Sequence, residues 1–129
     1  MTADPCPCLA DDPLAARDAI RKAGHIAELV DESHFMANIR RCARCGQHFL
    51  TLFCERVDWV DGDDPQTRVA VPVSEDEARQ LQAGNIAADE NVILKIVTAE
   101  RRFLHHDMPK GAPETLAWKT RKLFIPAHD

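Results

Sequence analysis

The hydrophobic and polar positions in the first half of the chain predict one short helix followed by three strands. Asp12 and Pro13 are typical of an N-cap and a first helical position, so a helix is expected to start there. Apolar runs at residues 26–31 and 35–40 are strand candidates, and residues 47 to about 60 return antiparallel to the second run. Because both faces of this third strand carry apolar residues, we expect helices to cover the sheet.

The pattern then predicts a further strand and a capped helix. Residues 67–71 are rich in β-branched side chains, and Pro72 is expected to stop this strand or to place it at a sheet edge. Ser74 and Glu77 have the spacing of a capping box, in which each side chain bonds to the other's backbone N–H. A helix is therefore predicted over residues 75–83.

The last third of the chain is predicted to be mainly helical. The apolar positions between residues 92 and 104 fit a helical stripe, although β-branched residues leave a strand open for residues 92–98. His105 and His106 would then lie at a helix end and face solvent. A last helix is predicted over residues 113–124, with Pro113 near its start.

The clearest chemical signal lies between the second and third predicted strands, in Cys42-Ala43-Arg44-Cys45-Gly46. Two thiolates separated by two residues can bind one ion, and the glycine lets the backbone turn tightly beneath the sulfurs. A structural zinc takes four ligands, so a second pair is needed, and Cys6-Pro7-Cys8 can supply it. The expected zinc ligands are Cys6, Cys8, Cys42 and Cys45, with His34 as an alternative to one sulfur of the Cys-x-Cys pair.

Two other uses of these cysteines are disfavoured. The chain has five cysteines, and its N-terminus lacks the basic start and apolar run of a secretory signal, so we expect a cytoplasmic protein without disulfides. A redox Cys-x-x-Cys would normally open a helix, whereas Gly46 and a strand follow here. Cys54 lies among apolar residues and is expected to be a buried, inert thiol.

The cysteine turn continues directly into an apolar strand, as Arg41-Cys42-Ala43-Arg44-Cys45-Gly46-Gln47 followed by Phe49-Leu50-Thr51-Leu52-Phe53. This pattern, over about residues 35–57, resembles the knuckle and second strand of a zinc ribbon. The second knuckle of such a ribbon would be the divergent Cys6-Pro7-Cys8. The resemblance implies a structural, four-coordinate zinc in a binding module and implies no catalytic chemistry.

These elements predict the fold class. We expect an α+β fold in which a small antiparallel sheet carries the zinc knuckle and packs with three to four helices. The length of 129 residues is sufficient for one hydrophobic core, so residues 1–129 are expected to form a single zinc-stabilised domain.

The distribution of charge suggests a partner. The net charge is −5, and residues 57–90 hold nine Asp and Glu residues against two Lys and Arg residues. An acidic surface of this kind suits a protein partner with a basic surface, for example a nuclease-type toxin that this chain would inhibit as an immunity protein. The candidate partner-binding residues are Asp58, Asp61, Asp63 and Asp64.

Two other functional classes, nucleic-acid binding and nuclease activity, fit the sequence less well. A nucleic-acid-binding zinc-ribbon module is the alternative, because arginines flank the cysteine turn at positions 40, 41, 44 and 56. The isoelectric point of about 5.6 and the absence of tyrosine for base stacking argue against it. The pair His105 and His106 superficially resembles an HNH nuclease, but no Asn lies between it and His128. We therefore expect no enzymatic activity.

Overall fold

The computed structural model describes residues 6–57, 59–60 and 64–128, and its main feature is a six-stranded sheet. Every pair of neighbouring strands is antiparallel, and the order of the strands in the sheet is their order in the chain. The strands therefore follow one another as in a meander, and residues 74–100, which include two helices, join the fourth strand to the fifth. Its strands are β1 Gly24–Asp31, β2 Phe35–Arg41, β3 His48–Glu55, β4 Gln66–Val73, β5 Arg101–Met108 and β6 Thr115–Arg121.

The helices in the described residues are short. They are α1 Pro13–Arg21, α2 Glu75–Ala83 and α3 Val92–Ile96, with one 3-10 turn at Pro7–Leu9. The prediction of a small sheet packed with three to four helices is therefore wrong, because the six-stranded sheet dominates the fold. None of these helices is both long enough and apolar enough to cross a membrane.

The predicted helix starts at α1 and α2 are confirmed. Asp12 is the N-cap of α1, and its carboxylate accepts a hydrogen bond from the backbone N–H of Leu14 at 3.1 Å. Ser74 and Glu77 form the complete capping box: the Glu77 N–H donates to Ser74 Oγ, and the Ser74 N–H donates to Glu77 Oε1. These starts were predictable because a cap depends only on residues within one turn.

The last third of the chain differs most from the prediction. The helix expected between residues 92 and 104 starts at Val92 but ends at Ile96, and β5 starts at Arg101. The helix expected over residues 113–124 is wrong, because β6 occupies Thr115–Arg121. Because β5 lies between two strands and both of its faces are covered, its buried residues are continuous instead of alternating. His105 and His106, expected at a solvent-facing helix end, are buried within β5.

Side chains that alternate along the strands form one buried core on each face of the sheet. Leu50 and Leu52 of β3 belong to the larger core, which includes residues of α2 and α3. Phe49 of the same strand belongs to a smaller core, together with residues of α1 and the 3-10 turn. The cysteine turn between β2 and β3 lies beside this smaller core.

Arg102 and Trp118 position the N-terminal segment against the sheet. Arg102 donates to the backbone carbonyls of Leu9 and Ala10, both at 3.2 Å, and its guanidinium lies 4.0 Å from the centre of the Trp118 ring. Trp118 Nε1 also donates to the Ala10 carbonyl, at 2.7 Å. These contacts bring the 3-10 turn, and the cysteines in and beside it, to the same side of the sheet as the turn after β2.

Candidate metal centre

The turn between β2 and β3 is closed by two backbone hydrogen bonds. The N–H of Cys42 donates to the Gln47 carbonyl, and the N–H of Gly46 donates to the Cys42 carbonyl, both at 2.9 Å. Gly46 has a φ of +81°, and a Cβ at this position would lie 3.3 Å from Nη2 of Arg41. A glycine is needed here because other residues are strained at this φ and the arginine already occupies the adjoining space.

The second pair of cysteines comes from the 3-10 turn. Cys6 immediately precedes this turn and Cys8 lies within it, and the Leu9 N–H donates to the Cys6 carbonyl at 2.8 Å. The two halves meet with Cys6 Sγ 3.6 Å from Cys42 Sγ and Cys8 Sγ 3.5 Å from Cys45 Sγ. All four sulfurs lie within 4.8 Å of one another.

These separations fit a tetrahedral metal site. Zinc–sulfur bonds of about 2.3 Å place neighbouring sulfurs of a regular tetrahedron about 3.8 Å apart. A disulfide would need a sulfur–sulfur distance of about 2.05 Å, and all five cysteines are free thiols. The donor set is therefore suited to one four-coordinate ion that prefers thiolates, and zinc is the common ion of that kind.

The backbone of the turn stabilises negative charge on Cys42. Burial disfavours its thiolate, but the backbone N–H groups of Cys45 and Arg44 donate to its sulfur, and the net result is a pKa lowered to about 7. Burial raises the pKa of Cys8 and of Cys45, and neighbouring sulfurs add to the effect at Cys8. Four adjacent thiolates thus need a compensating cation, which a bound divalent metal would supply.

The site is closed on one side. Cys8 and Cys42 are buried in the smaller core, where Phe49 and Ile20 are among their neighbours, whereas Cys45 is exposed. The four sulfurs would complete the coordination of a tetrahedral ion, so no position remains for water or substrate. This arrangement suits a structural metal and not a catalytic one.

His34, the predicted alternative ligand, and Cys54, predicted to be a buried thiol outside the site, both lie away from the four sulfurs. His34 immediately precedes β2, at the end opposite to the cysteine turn, and its Nδ1 lies 3.0 Å from Oε1 of Glu55. Cys54 is buried in the larger core, where burial and the charge of Glu90 raise its pKa to about 12. Neither belongs to the four-sulfur cluster.

The candidate partner-binding aspartates are only partly described. Asp58, Asp61 and Asp63 lie outside the described residues, and Asp64 is half-buried just before β4. In the same stretch, the side chains of Trp59 and Val60 are 87% and 90% exposed. Trp59 was not among the predicted partner-binding residues, although a tryptophan between aspartates is unusual in a solvated loop.

The arginines behind the nucleic-acid alternative do not share one surface. Arg40 and Arg41 are successive residues of β2 and so project to opposite faces of the sheet. Arg40 Nη1 donates to the backbone carbonyls of Arg21 and Ala23, at 3.4 and 3.3 Å. Phosphate binding by the arginines at positions 40, 41, 44 and 56 stays a prediction.

No protein-family model, curated protein or solved structure matches this chain.

Proposed function

We propose that this chain is a non-enzymatic zinc protein in which one structural Zn²⁺ joins the N-terminal segment to the turn between β2 and β3. The supporting observation is the cluster of four sulfurs, from Cys6, Cys8, Cys42 and Cys45, within 4.8 Å of one another. Four thiolates leave no open coordination position, so the bound metal would contribute folding free energy and not Lewis-acid chemistry.

The first prediction concerns metal content and thiol reactivity. Protein purified without chelator or affinity nickel is expected to contain one zinc per chain by elemental analysis. Its thiols should react slowly with a thiol reagent, because four would be metal-bound and Cys54 is buried with a pKa of about 12. Chelation should make the four cluster thiols reactive, because loss of a structural metal removes the folding free energy that holds the turn and the N-terminal segment together. A metal-free protein with rapidly reacting thiols would refute the zinc proposal.

We further propose that the protein acts by binding another protein through the acidic stretch around Trp59. Tryptophan is enriched among residues that dominate interface energies, and this one is 87% exposed. Asp58, Asp61, Asp63 and Asp64 surround it in the sequence, so the fitting partner has a basic surface. A nuclease-type toxin has such a surface in its nucleic-acid cleft, and the chain would act as its immunity protein.

The second prediction tests this partner. Affinity purification of the tagged protein at low salt is expected to retain a basic product of a neighbouring gene. Changing Asp58, Asp61, Asp63 and Asp64 together to asparagine, or Trp59 to alanine, should weaken the complex at least about tenfold. The control variant, Asp18→Asn with Glu100→Gln, removes exposed carboxylates outside this stretch and should leave binding unchanged. Absence of any stable partner, or equal binding by all variants, would refute the proposed interaction without affecting the zinc site.

A further inference from the structure

A cavity of about 300 Å³ lies between α1 and the sheet face that α1 covers. Its floor includes five residues, one from each of the strands β2 to β6, that form a row across the sheet. In this register row each residue is the direct cross-strand partner of the next. The neighbouring row includes Ala70, whose small side chain leaves space above the sheet. The register row consists of Met36, Phe53, Arg68, His106 and Leu116.

The lining of this cavity is strongly basic. Arg17 and Arg21 reach it from successive turns of α1, Arg40 from β2 and Arg68 from β4. No aspartate or glutamate is among the described residues that line it. In a chain whose acidic residues outnumber its basic ones by 21 to 16, four arginines converging on one cavity without a carboxylate need an explanation.

Only two of these four arginines have an acidic or carbonyl partner among the residues that the structure describes. Arg17 pairs with the exposed Asp18, at 3.3 Å, and Arg40 caps the backbone carbonyls at the end of α1. Within the described part of the chain, neither Arg21 nor Arg68 forms an ion pair with a carboxylate. The Arg68 guanidinium instead stacks on Phe53, 4.8 Å from the ring centre, which holds its planar face in position.

Arg68 is an exposed residue whose guanidinium lies over Phe53 and near the positive charge of Arg21. Partial burial lowers the pKa of Arg68, and the charge of Arg21 lowers it further. An anion bound between these two groups would relieve their repulsion. Guanidinium groups present paired N–H donors whose geometry matches two oxygens of a phosphate or carboxylate.

We propose that this cavity is a binding site for a small phosphomonoester that carries an apolar group. A phosphomonoester has a charge of about −1.5 to −2 at neutral pH, which suits several guanidinium groups better than a single carboxylate does. Its apolar part would lie on the side chains of Ile20, Leu104 and Leu116, which also line the cavity. The volume is at the lower end of the about 300–1,000 Å³ typical of ligand pockets, so the ligand is a small molecule and not a polymer.

Isothermal titration calorimetry on the zinc-loaded protein tests this site with phenyl phosphate, inorganic phosphate and phenol. Phenyl phosphate is expected to bind most tightly, inorganic phosphate more weakly and phenol least, and binding should weaken as salt increases. Arg68→Gln should reduce the affinity for phenyl phosphate at least about tenfold, because it removes the central charge. Arg21→Gln, at an exposed position at the end of α1, should also weaken binding and serves if Arg68→Gln fails to fold.

The matched control is Arg79→Gln, because Arg79 is a mostly exposed arginine on α2, whose buried residues pack in the other core of the sheet. This variant should bind phenyl phosphate like the unmodified protein. Failure of phenyl phosphate to bind at millimolar concentration, or equal affinity in the Arg21 and Arg79 variants, would overturn the proposal. Tighter binding of a single-stranded oligonucleotide than of phenyl phosphate would also overturn it and would favour nucleic-acid recognition.

Discussion

Cys8→Ser is expected to abolish zinc binding and to lower the free energy of unfolding by more than about 4 kcal/mol, because the binding energy of a structural zinc is also folding energy. Cys8 is fully buried, and its sulfur lies 3.5 Å from that of Cys45. Serine preserves the shape of the side chain but supplies a poor zinc ligand in a buried position. Zinc content by elemental analysis and unfolding by urea, followed by circular dichroism, measure the two effects.

A variant outside the cluster and chelation of the unmodified protein are the two controls for Cys8→Ser. Cys54→Ala removes a buried thiol outside the cluster, so zinc content should remain at one per chain and stability should fall by only about 1–2 kcal/mol. If Cys8→Ser does not fold, chelation of the unmodified protein should give a similar destabilisation that added zinc reverses. Retention of zinc by Cys8→Ser would exclude Cys8 as a ligand, and loss of zinc without loss of stability would exclude a structural role.

The cysteine turn was predictable because its geometry is local. Two sulfurs three positions apart and a glycine after the second specify both the direction of the thiols and the tight turn. The contribution of Cys6 and Cys8 followed from the need for four ligands. Arg102 and Trp118 hold the backbone at Leu9 and Ala10 and so bring these two cysteines to the turn. No spacing in the sequence indicates this long-range contact.

The C-terminal strands were mispredicted because their stability comes from pairing and not from local preference. In β6, Leu116 and Trp118 alternate with exposed residues as in a strand, but Leu116, Leu123 and Phe124 also fit one helical face. Pairing with β5 decides between the two patterns. In β5 the buried run at residues 103–106 has no period, because a buried core lies on each face of this strand.

The basic cavity was missed for a related reason. Arg17 and Arg21 are four residues apart and share a face of α1, which is a signal that the sequence carries. Arg68 lies in a segment whose summed charge is strongly acidic, so charge counted along the chain concealed it. Only the packing of α1 on the sheet, with β4 at the centre, brings these arginines together.

Phe49→Ala is expected to lower the free energy of unfolding by about 3–5 kcal/mol, the usual cost of removing a fully buried phenylalanine. Phe49 is completely buried in the smaller core, with Cys8, Cys42 and Ile20 among its members. Because its substitution leaves all four sulfurs in the chain, folded Phe49→Ala should still contain one zinc. Urea unfolding of the zinc-loaded variant measures the cost, and elemental analysis of the same sample measures the metal.

Phe53→Ala is the matched control, since Phe53 lies on the same face of β3 but is only half-buried beneath Arg68. Its loss should cost about 1–2 kcal/mol, because less apolar surface returns to water and the stacking on Arg68 is weak. A cost of only about 1–2 kcal/mol for Phe49→Ala, as expected for Phe53→Ala, would show that the core beneath α1 does not depend on Phe49. Loss of zinc from folded Phe49→Ala would show that packing around the ring, and not the cysteine turn alone, holds the four sulfurs at metal-binding distance.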